Sequence, residues 1–225
     1  MKNRVAMALL VGVLSIPMAA AACVAAAPGG TNGGDLPAVE VREYEGQNLS
    51  SINELRENSI RGPQHVEINE YTLSIHGLVA KELSYTYDEV ITKHDSYRKV
   101  VTLNCVEGWD VKLLWEGILL ADVFKDAGVL PAANTVIFRS VDGYSTSLSL
   151  DYIVQNDIML AYKMNQVTLP PERGFPFQLV AESKWGYKWI KWVNEIELSD
   201  DPEFRGYWES YGYSNSGNTN EYFFD

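Results

Sequence analysis

The chain has 225 residues, of which 46% are hydrophobic and 21% are charged, values that are ordinary for a globular protein. Its formal net charge of −12 argues against nucleic acid and against anionic lipid surfaces as partners. The two cysteines cannot form a disulfide framework.

The N-terminus has the pattern of an export signal. Lys2 and Arg4 precede the apolar run Val5–Ile16, and an alanine-rich stretch follows. This run is shorter than the ~20 residues that a transmembrane helix needs, so we predict a signal peptide over residues 1–22. Cys23 then resembles a lipoprotein acceptor site, although cleavage nearby would leave it free or remove it. We expect an extracytoplasmic protein of the cell envelope whose only contact with the membrane is a lipid anchor on this cysteine.

The composition changes twice along the chain. Residues 23–54 are glycine-rich and then acidic, which is typical of a flexible linker. Residues 55–225 are long enough for one domain with a sizeable core, and they contain no internal repeat. We therefore predict a single folded domain over this range, and a monomer.

Short strands with a few helices are predicted over this domain. Apolar alternation and apolar runs predict strands at Tyr71–Val79, Val100–Leu103, Thr135–Ser140, Tyr144–Leu148, Met159–Met164 and Phe177–Ala181. Helices are predicted from a capping box that begins at Thr86, over Leu119–Ala127 before Gly128, and as a turn at Leu150–Val154. This mixture predicts an α+β fold with mixed β-sheets and short helices.

A stretch rich in tryptophan and lysine near the C-terminus allows two interpretations. Lys184, Lys188 and Lys191 lie at helical spacing, which would suit an amphipathic helix on a membrane surface. Gly186 and the apolar alternation that follows favour a loop leading into a strand.

Cys105 directly follows the predicted strand Val100–Leu103 and is the only cysteine after Cys23. A side chain at a strand end can leave the core and face a cavity, where a thiol can bind a metal or a substrate. The alternative is a small buried hydrophobic residue, because free cysteines are among the most buried residue types. The residues alone leave both interpretations open.

Three stretches in this order resemble the sulfite-oxidase-like molybdenum enzymes. They are LNCVEGW (Leu103–Trp109), PPERGFPFQLV (Pro170–Val180) and KWGYKWIKWVNEIEL (Lys184–Leu198). The similarity extends from about Leu55 to about Tyr213, and CVEGW is closest to the catalytic subunits of periplasmic methionine-sulfoxide reductases. The resemblance implies the molybdopterin-binding fold of that family and a molybdenum–molybdopterin cofactor, with tungsten as the other possible metal. It implies that the Cys105 thiolate binds this metal, which is consistent with the preference of soft metals for sulfur.

The resemblance also implies further site residues. The implied cofactor-binding residues are Asn58, Ser59, Ile60, Arg61, Ser140, Asp142, Arg173, Gln178, Gly186, Tyr187 and Lys188. Among these, Lys188 would give positive charge to the pterin phosphate, and Gly186 would allow close backbone approach. The implied catalytic residues are Cys105, Arg61 and Tyr213, with Tyr211 as the second choice of tyrosine.

Some of these residues also have a simpler, purely structural interpretation. These interpretations are a surface arginine at 61, a turn-forming Asp142, a solvated lysine at 188, and a C-terminal tail that only covers apolar surface. Trp109 and Trp115 are expected to line the pocket rather than to react.

The chain departs from the family pattern at several positions. Arg173 stands where the family has His or Asn, and Gln178 stands where it commonly has Arg, so Arg173 is expected to replace the missing charge. Val106 and Glu107 follow the cysteine where sulfite oxidases carry arginines. This difference favours reduction of an S-oxide or N-oxide over sulfite oxidation as the reaction on a small substrate.

No second redox centre is visible, so we expect a separate electron-transfer protein or a membrane redox partner. The leader carries Lys2-Asn3-Arg4 in place of the twin arginines usual for exported members of this family. Together with Gln178, this motivates an alternative function, a cofactor-free binding or interaction module that keeps the same fold.

Overall fold

The computed structural model describes residues 39–225, so the predicted signal peptide and Cys23 lie outside the described residues. This part of the chain forms twelve strands and three α-helices. The strands are β1 (Glu43–Tyr44), β2 (Gln47–Asn48), β3 (Leu73–Gly77), β4 (Leu83–Tyr85), β5 (Tyr97–Asn104), β6 (Asp110–Leu119), β7 (Thr135–Ser140), β8 (Ser145–Ser149), β9 (Met159–Met164), β10 (Val167–Thr168), β11 (Gln178–Val180) and β12 (Val193–Ser199). The helices are α1 (Tyr87–Lys93), α2 (Leu120–Ala127) and α3 (Leu150–Gln155). Short 3-10 turns lie at Ile52–Glu54, Pro171–Arg173, Gly186–Lys188 and Glu209–Tyr211.

Most of the strands belong to two five-stranded sheets. The first sheet has the order β10-β9-β6-β5, with β11 also paired to β9, and all its pairs are antiparallel. The second sheet has the order β4-β3-β12-β7-β8, in which only β3 and β12 run parallel. Strands β1 and β2 form a separate small hairpin. These mixed sheets with short helices confirm the predicted α+β fold.

The predicted helix boundaries are confirmed by their caps. The Thr86 side chain accepts a hydrogen bond from the backbone N–H of Glu89, whose carboxylate accepts one from the backbone N–H of Thr86, so α1 begins with the predicted capping box. Helix α2 ends at Gly128, which has a φ of 68°. A left-handed residue of this kind is what glycine supplies after a helix.

Strand β6 was not predicted, although its ten residues place it between β5 and β9 in the first sheet. Its burial shows why, because every residue from Leu113 to Ile118 is buried and the apolar alternation is lost. A Cβ at Gly117 would lie 2.1 Å from the carbonyl oxygen of Leu160 on β9, so this glycine permits the strand pairing instead of ending it.

The folded domain begins earlier than the predicted boundary at residue 55. Leu49 and Ile52 are buried. Glu40 accepts hydrogen bonds from the backbone N–H of Ile52 at 2.7 Å and from Nδ2 of Asn165 at 3.0 Å. Most residues of this segment are polar, so its few buried apolar residues formed no recognisable pattern in the sequence. Residues 40–54 therefore belong to the folded domain, and the prediction that they form a flexible linker is wrong.

A hydrophobic core joins the two sheets. Leu73 of β3, Leu113 of β6 and Ile196 of β12 are fully shielded from solvent within one cluster, which also contains apolar residues of all three helices. Within residues 39–225, no helix combines the length and the apolar character that crossing a membrane would require.

The tryptophan- and lysine-rich stretch is a loop that leads into β12, as predicted. It contains one 3-10 turn, and Lys184 and Lys188 are both buried. This arrangement excludes an amphipathic helix with a solvated lysine face at this position.

Candidate active site

Cys105 lies in the turn that joins β5 to β6. Its backbone N–H donates to the carbonyl of Trp109 at 2.9 Å, and the N–H of Gly108 donates to the carbonyl of Cys105 at 3.0 Å. Gly108 has a φ of 82°, a conformation that favours glycine. The turn holds the thiol just beyond the end of β5, with only 8% of the residue exposed, so the predicted strand-end position is confirmed.

The thiol faces a cavity of about 320 Å³, which is a typical size for a small-molecule site. Ten of the predicted site residues contribute to its wall: Asn58, Ser59, Ile60, Cys105, Asp142, Arg173, Gln178, Gly186, Tyr187 and Tyr213. The fold thus brings together residues from widely separated stretches of the sequence.

Four predicted residues do not line the cavity. Arg61 is exposed and lies beside the turn at Gly143. Tyr211 is 66% exposed. Ser140 is buried, but its hydroxyl donates to the carboxylate of Asp142.

Asp142 itself does line the cavity. It also accepts from the backbone N–H of Tyr144 at 2.9 Å, so it both forms the turn and faces the cavity.

Lys188 is the fourth predicted site residue that does not line the cavity. Its side chain is fully buried, and Nζ lies 2.6 Å from Oε1 of Glu209. Nζ also donates to the carbonyl of Ser147 at 3.1 Å. Because its charge is already paired, Lys188 can serve a phosphate only if this ion pair opens. The interpretation of Lys188 as a solvated lysine is wrong.

The two tryptophans that were expected to line the pocket differ in position. Trp109 lines the cavity, whereas Trp115 is completely buried in the core. The ring of Trp115 packs against the ring of Trp189, with centroids 5.6 Å apart, and it is Trp189 that reaches the cavity.

The surroundings of the thiol disfavour its charged form. Burial raises the pKa of Cys105; the backbone N–H of Glu107 opposes this effect, and the negative charge of the Glu107 side chain adds to it. The side-chain amide of Asn58 lies 3.9 Å from Sγ. In the described part of the chain, no group of three or more His, Cys, Asp or Glu is placed to hold a metal ion. Coordination to a metal would remove the thiol proton.

Three side chains in the wall have buried polar atoms without a hydrogen-bond partner, and one of them is the hydroxyl of Ser59. Gln178 is 2% exposed, and its Oε1 has no hydrogen-bond partner. Nε and Nη1 of Arg173 are also buried without partners, and burial lowers the pKa of this arginine. Such orphaned groups cost about 1–3 kcal/mol each. They fit a ligand that carries both donors and acceptors, as a pterin ring does.

Gly186 and Gly174 bring the backbone close to this part of the cavity. A Cβ on Gly186 would lie 3.4 Å from the carbonyl oxygen of Asn104, just before the cysteine. A Cβ on Gly174, which has a φ of 99°, would lie 3.2 Å from the Cβ of Gln178. The chain at Arg173 therefore folds back over Gln178, which explains how residues five positions apart share one wall.

Several wall residues were not predicted, among them Leu55, Arg56, Tyr144, Glu172, Trp189, Lys191 and Trp208. Lys191 and Trp189 stand in the same loop as the predicted Gly186, so their position in that loop was an available signal. No local pattern distinguished Arg56, whose guanidinium lies over the ring of Trp109 at 5.9 Å from its centroid.

The fold is one of mixed sheets, with a cavity whose wall contains the buried thiol of Cys105. The family described as "Oxidoreductase molybdopterin binding domain" matches residues 60–208, more than half of the chain. The chain therefore belongs to this family of molybdopterin-dependent oxidoreductases, whose sulfite oxidase-type fold it shares.

Individual relatives are consistent with this assignment. The chain is 30% identical over 156 residues to the uncharacterized oxidoreductase YuiH of Bacillus subtilis, a match that covers 69% of this chain and 78% of that protein. It is 31% identical over 147 residues to the protein-methionine-sulfoxide reductase catalytic subunit MsrP of Gluconobacter oxydans, covering 58% of this chain and 47% of that relative. It therefore spans about half of the reductase.

A solved structure shares the fold. The sulfane dehydrogenase SoxCD of Paracoccus pantotrophus superposes with a TM-score of 0.59 at 22% sequence identity, covering 62% of this chain and 41% of that one. At this identity the similarity concerns the fold alone.

Proposed function

We propose that the protein is an exported molybdenum–molybdopterin oxidoreductase that removes an oxygen atom from an S-oxide or N-oxide. The charge balance of the cavity wall is the observation that favours oxide reduction over sulfite oxidation. The wall contains three basic residues, Arg56, Arg173 and Lys191, and three acidic ones, Glu107, Asp142 and Glu172. A wall without excess positive charge suits a neutral substrate better than a dianion such as sulfite. Sulfite oxidation is the second choice.

The chain would hold the cofactor at three places. Cys105 would bind the metal through its thiolate. The free donors of Arg173 and the free acceptor of Gln178 would bind polar groups of the pterin, and Gly186 lets its loop pack closely against the cysteine turn. When bound, the cofactor supplies two-electron oxygen-atom transfer. The overall reaction consumes two electrons and two protons and converts an S-oxide to a sulfide and water.

Aromatic side chains would position the substrate. Trp109, Trp208 and Tyr213 line the cavity together with Cys105. Their rings supply apolar contact for the groups on either side of an S-oxide, and the Tyr213 hydroxyl would donate a hydrogen bond to the oxygen that is lost. Arg61 and Tyr211 lie outside this wall, so we propose no direct contact between them and a small substrate.

The electrons would come from a separate protein, and the protein would act outside the cytoplasm as a monomer attached through Cys23. The Gluconobacter relative is named a catalytic subunit, which supports a division between catalysis and electron supply. The signal-like residues 1–22 support export.

Dye-linked assays of the loaded protein test this proposal. We expect oxidation of reduced benzyl viologen with dimethyl sulfoxide or trimethylamine N-oxide, and much slower reduction of ferricyanide with sulfite. The Cys105→Ala variant, prepared in the same molybdopterin-competent host, is the control and should be inactive with all of them. Faster turnover of sulfite than of either oxide would contradict the proposed direction.

A further inference from the structure

The C-terminal segment presents four exposed aromatic side chains at the surface. They are Trp208, Tyr211, Tyr222 and Phe224, which are 37%, 66%, 71% and 41% exposed, and we call them the aromatic patch. The ring centroids of Trp208 and Tyr211 lie 6.0 Å apart, as do those of Tyr222 and Phe224. Exposed aromatic groups in contact with one another are typical of interaction sites.

The aromatic patch is continuous with the cavity wall. Trp208 and Tyr213 both line the cavity, and their ring centroids lie 5.3 Å apart. Tyr213 in turn contacts the ring of Phe224, with centroids 4.6 Å apart. One layer of rings therefore separates the cavity from a partner that would bind the patch.

The segment that carries the patch is firmly attached. Ser214 donates from its backbone N–H to the carbonyl of Phe223 at 2.9 Å, and Asp225 donates likewise to Gly212 at 3.1 Å. The buried ion pair between Glu209 and Lys188 joins the segment to the rest of the domain. A preorganised surface of this kind loses little conformational entropy when a partner binds.

The same C-terminal segment carries several exposed acidic residues. The exposed acidic residues of positions 200–225 are Asp200, Asp201, Glu203, Glu221 and Asp225, and Arg205 is the only basic residue there. Arg205 is already paired with Asp225 at 3.0 Å. Glu221 and Asp225 adjoin Tyr222 and Phe224 in the chain, and we call these two carboxylates the acidic rim. Their negative charge beside the patch favours a positively charged partner.

We infer that the aromatic patch is the docking surface for a basic redox protein that supplies the electrons. The inference rests on the proposed function, because that reaction consumes two electrons for each oxide reduced. The acidic rim would steer the partner towards the patch, and the rings would supply the contact area.

Binding measurements with two haem or iron–sulfur proteins of opposite charge test the inference. The probes are mitochondrial cytochrome c, which is basic, and a plant-type ferredoxin, which is acidic. We expect the full-length loaded protein to bind cytochrome c and not ferredoxin. The Tyr222→Ser variant should weaken the cytochrome binding roughly tenfold, the effect typical of an interface hot spot. Glu221→Gln, which removes one charge of the acidic rim, should weaken it by a smaller factor. Binding should also weaken as salt rises from ~0.02 to ~0.2 M, because salt screens the acidic rim.

Tyr97→Ser is the matched control, because Tyr97 is 37% exposed but lies in β5, outside the C-terminal segment. It should bind cytochrome c like the unaltered protein. Equal binding by Tyr222→Ser and Tyr97→Ser would overturn the inference. Absence of cytochrome binding, or binding to phosphatidylcholine vesicles instead, would also overturn it.

Dye-linked turnover separates this inference from the proposed function. Benzyl viologen reaches the cavity without a docking surface, so Tyr222→Ser should keep full dye-linked activity. If the unaltered protein lacked dye-linked activity, the proposed function would fail. The comparison of cytochrome binding by Tyr222→Ser and Tyr97→Ser would still test whether the aromatic patch is a docking surface.

Discussion

The ammonium of Lys188 and the carboxylate of Glu209 form an ion pair that is completely closed to solvent, with Nζ and Oε1 2.6 Å apart. Thr146 also donates to this carboxylate, at 2.5 Å. Burial lowers the pKa of Lys188, and the charge of Glu209 opposes that effect. The pair joins the loop beside the cavity to the C-terminal segment that carries Trp208 and Tyr213.

Removal of one partner should be strongly destabilising. Glu209→Ala leaves the ammonium of Lys188 buried without its partner, so we expect the free energy of unfolding to fall by about 3–5 kcal/mol. Urea denaturation followed by circular dichroism measures this loss.

The exposed pair Arg205–Asp225 provides the control, because both side chains are 45% exposed. Asp225→Ala should cost no more than about 1 kcal/mol. The double variant Lys188→Met/Glu209→Leu should lose less than Glu209→Ala, because no uncompensated charge remains. Equal losses for Glu209→Ala and Asp225→Ala would contradict this view of the buried pair.

The guanidinium of Arg173 should be essential for retention of the cofactor. Arg173→Asn removes the unpartnered Nε and Nη1 of this side chain and should lower the amount of pterin that copurifies with the protein. Adding Gln178→Arg returns a guanidinium five residues along the chain, on the same wall, and should restore the pterin content. Pterin released per chain and the midpoint of thermal unfolding measure both effects. A double variant as poor in pterin as Arg173→Asn would show that the position of the charge matters more than its presence.

Glu107 should disfavour anionic substrates. Its carboxylate lines the cavity and accepts a hydrogen bond from Nε1 of Trp109 at 3.1 Å. Glu107→Gln keeps the shape and removes one negative charge, so an interaction of ~1 kcal/mol with an anion would disappear. We expect the KM for sulfite to fall about fivefold and the KM for dimethyl sulfoxide to stay unchanged. A parallel change in both KM values would mean that the side chain acts through the geometry of the turn.

The buried Lys184 should make stability depend on pH. Burial, and to a lesser degree the charge of Lys188, lowers its pKa from 10.5 to about 8. Between these two values the unfolded chain binds a proton that the folded chain lacks, so stability rises with pH in this window. Relative to Lys184→Met, the unaltered protein should gain about 1–2 kcal/mol between pH ~7.5 and ~9.5. Urea midpoints at both pH values measure this gain, and parallel curves for the two proteins would contradict it.

The sequence predicted those parts of the fold that have a local cause. The capping box at Thr86 and the left-handed Gly128 are set by neighbouring residues, so both helix boundaries were found. Strand β6 was missed because burial on both faces removes the alternation that identifies a strand. Only its long-range pairing with β9 identifies these residues as a strand.

The same distinction applies to the site. Cys105 was found from its position at a strand end and from the resemblance of its surrounding motif. The partner of Lys188 was not predictable, because Glu209 lies 21 residues away and only the folded chain brings the two together. Arg61 was placed by similarity of a short loop, and the structure directs that arginine towards Gly143 instead of the cavity wall.

The molybdenum and pterin content of the unaltered protein and of Cys105→Ala, both purified from a molybdopterin-competent host, tests the central claim most directly. We predict about one molybdenum and one pterin per chain in the unaltered protein. Cys105→Ala should lose the metal yet remain folded, because truncating one small side chain costs only about 1 kcal/mol. Full metal content in this variant would contradict the role of the thiol. An unaltered protein with neither metal nor pterin, in a host that loads another family member, would identify a cofactor-free binding module instead.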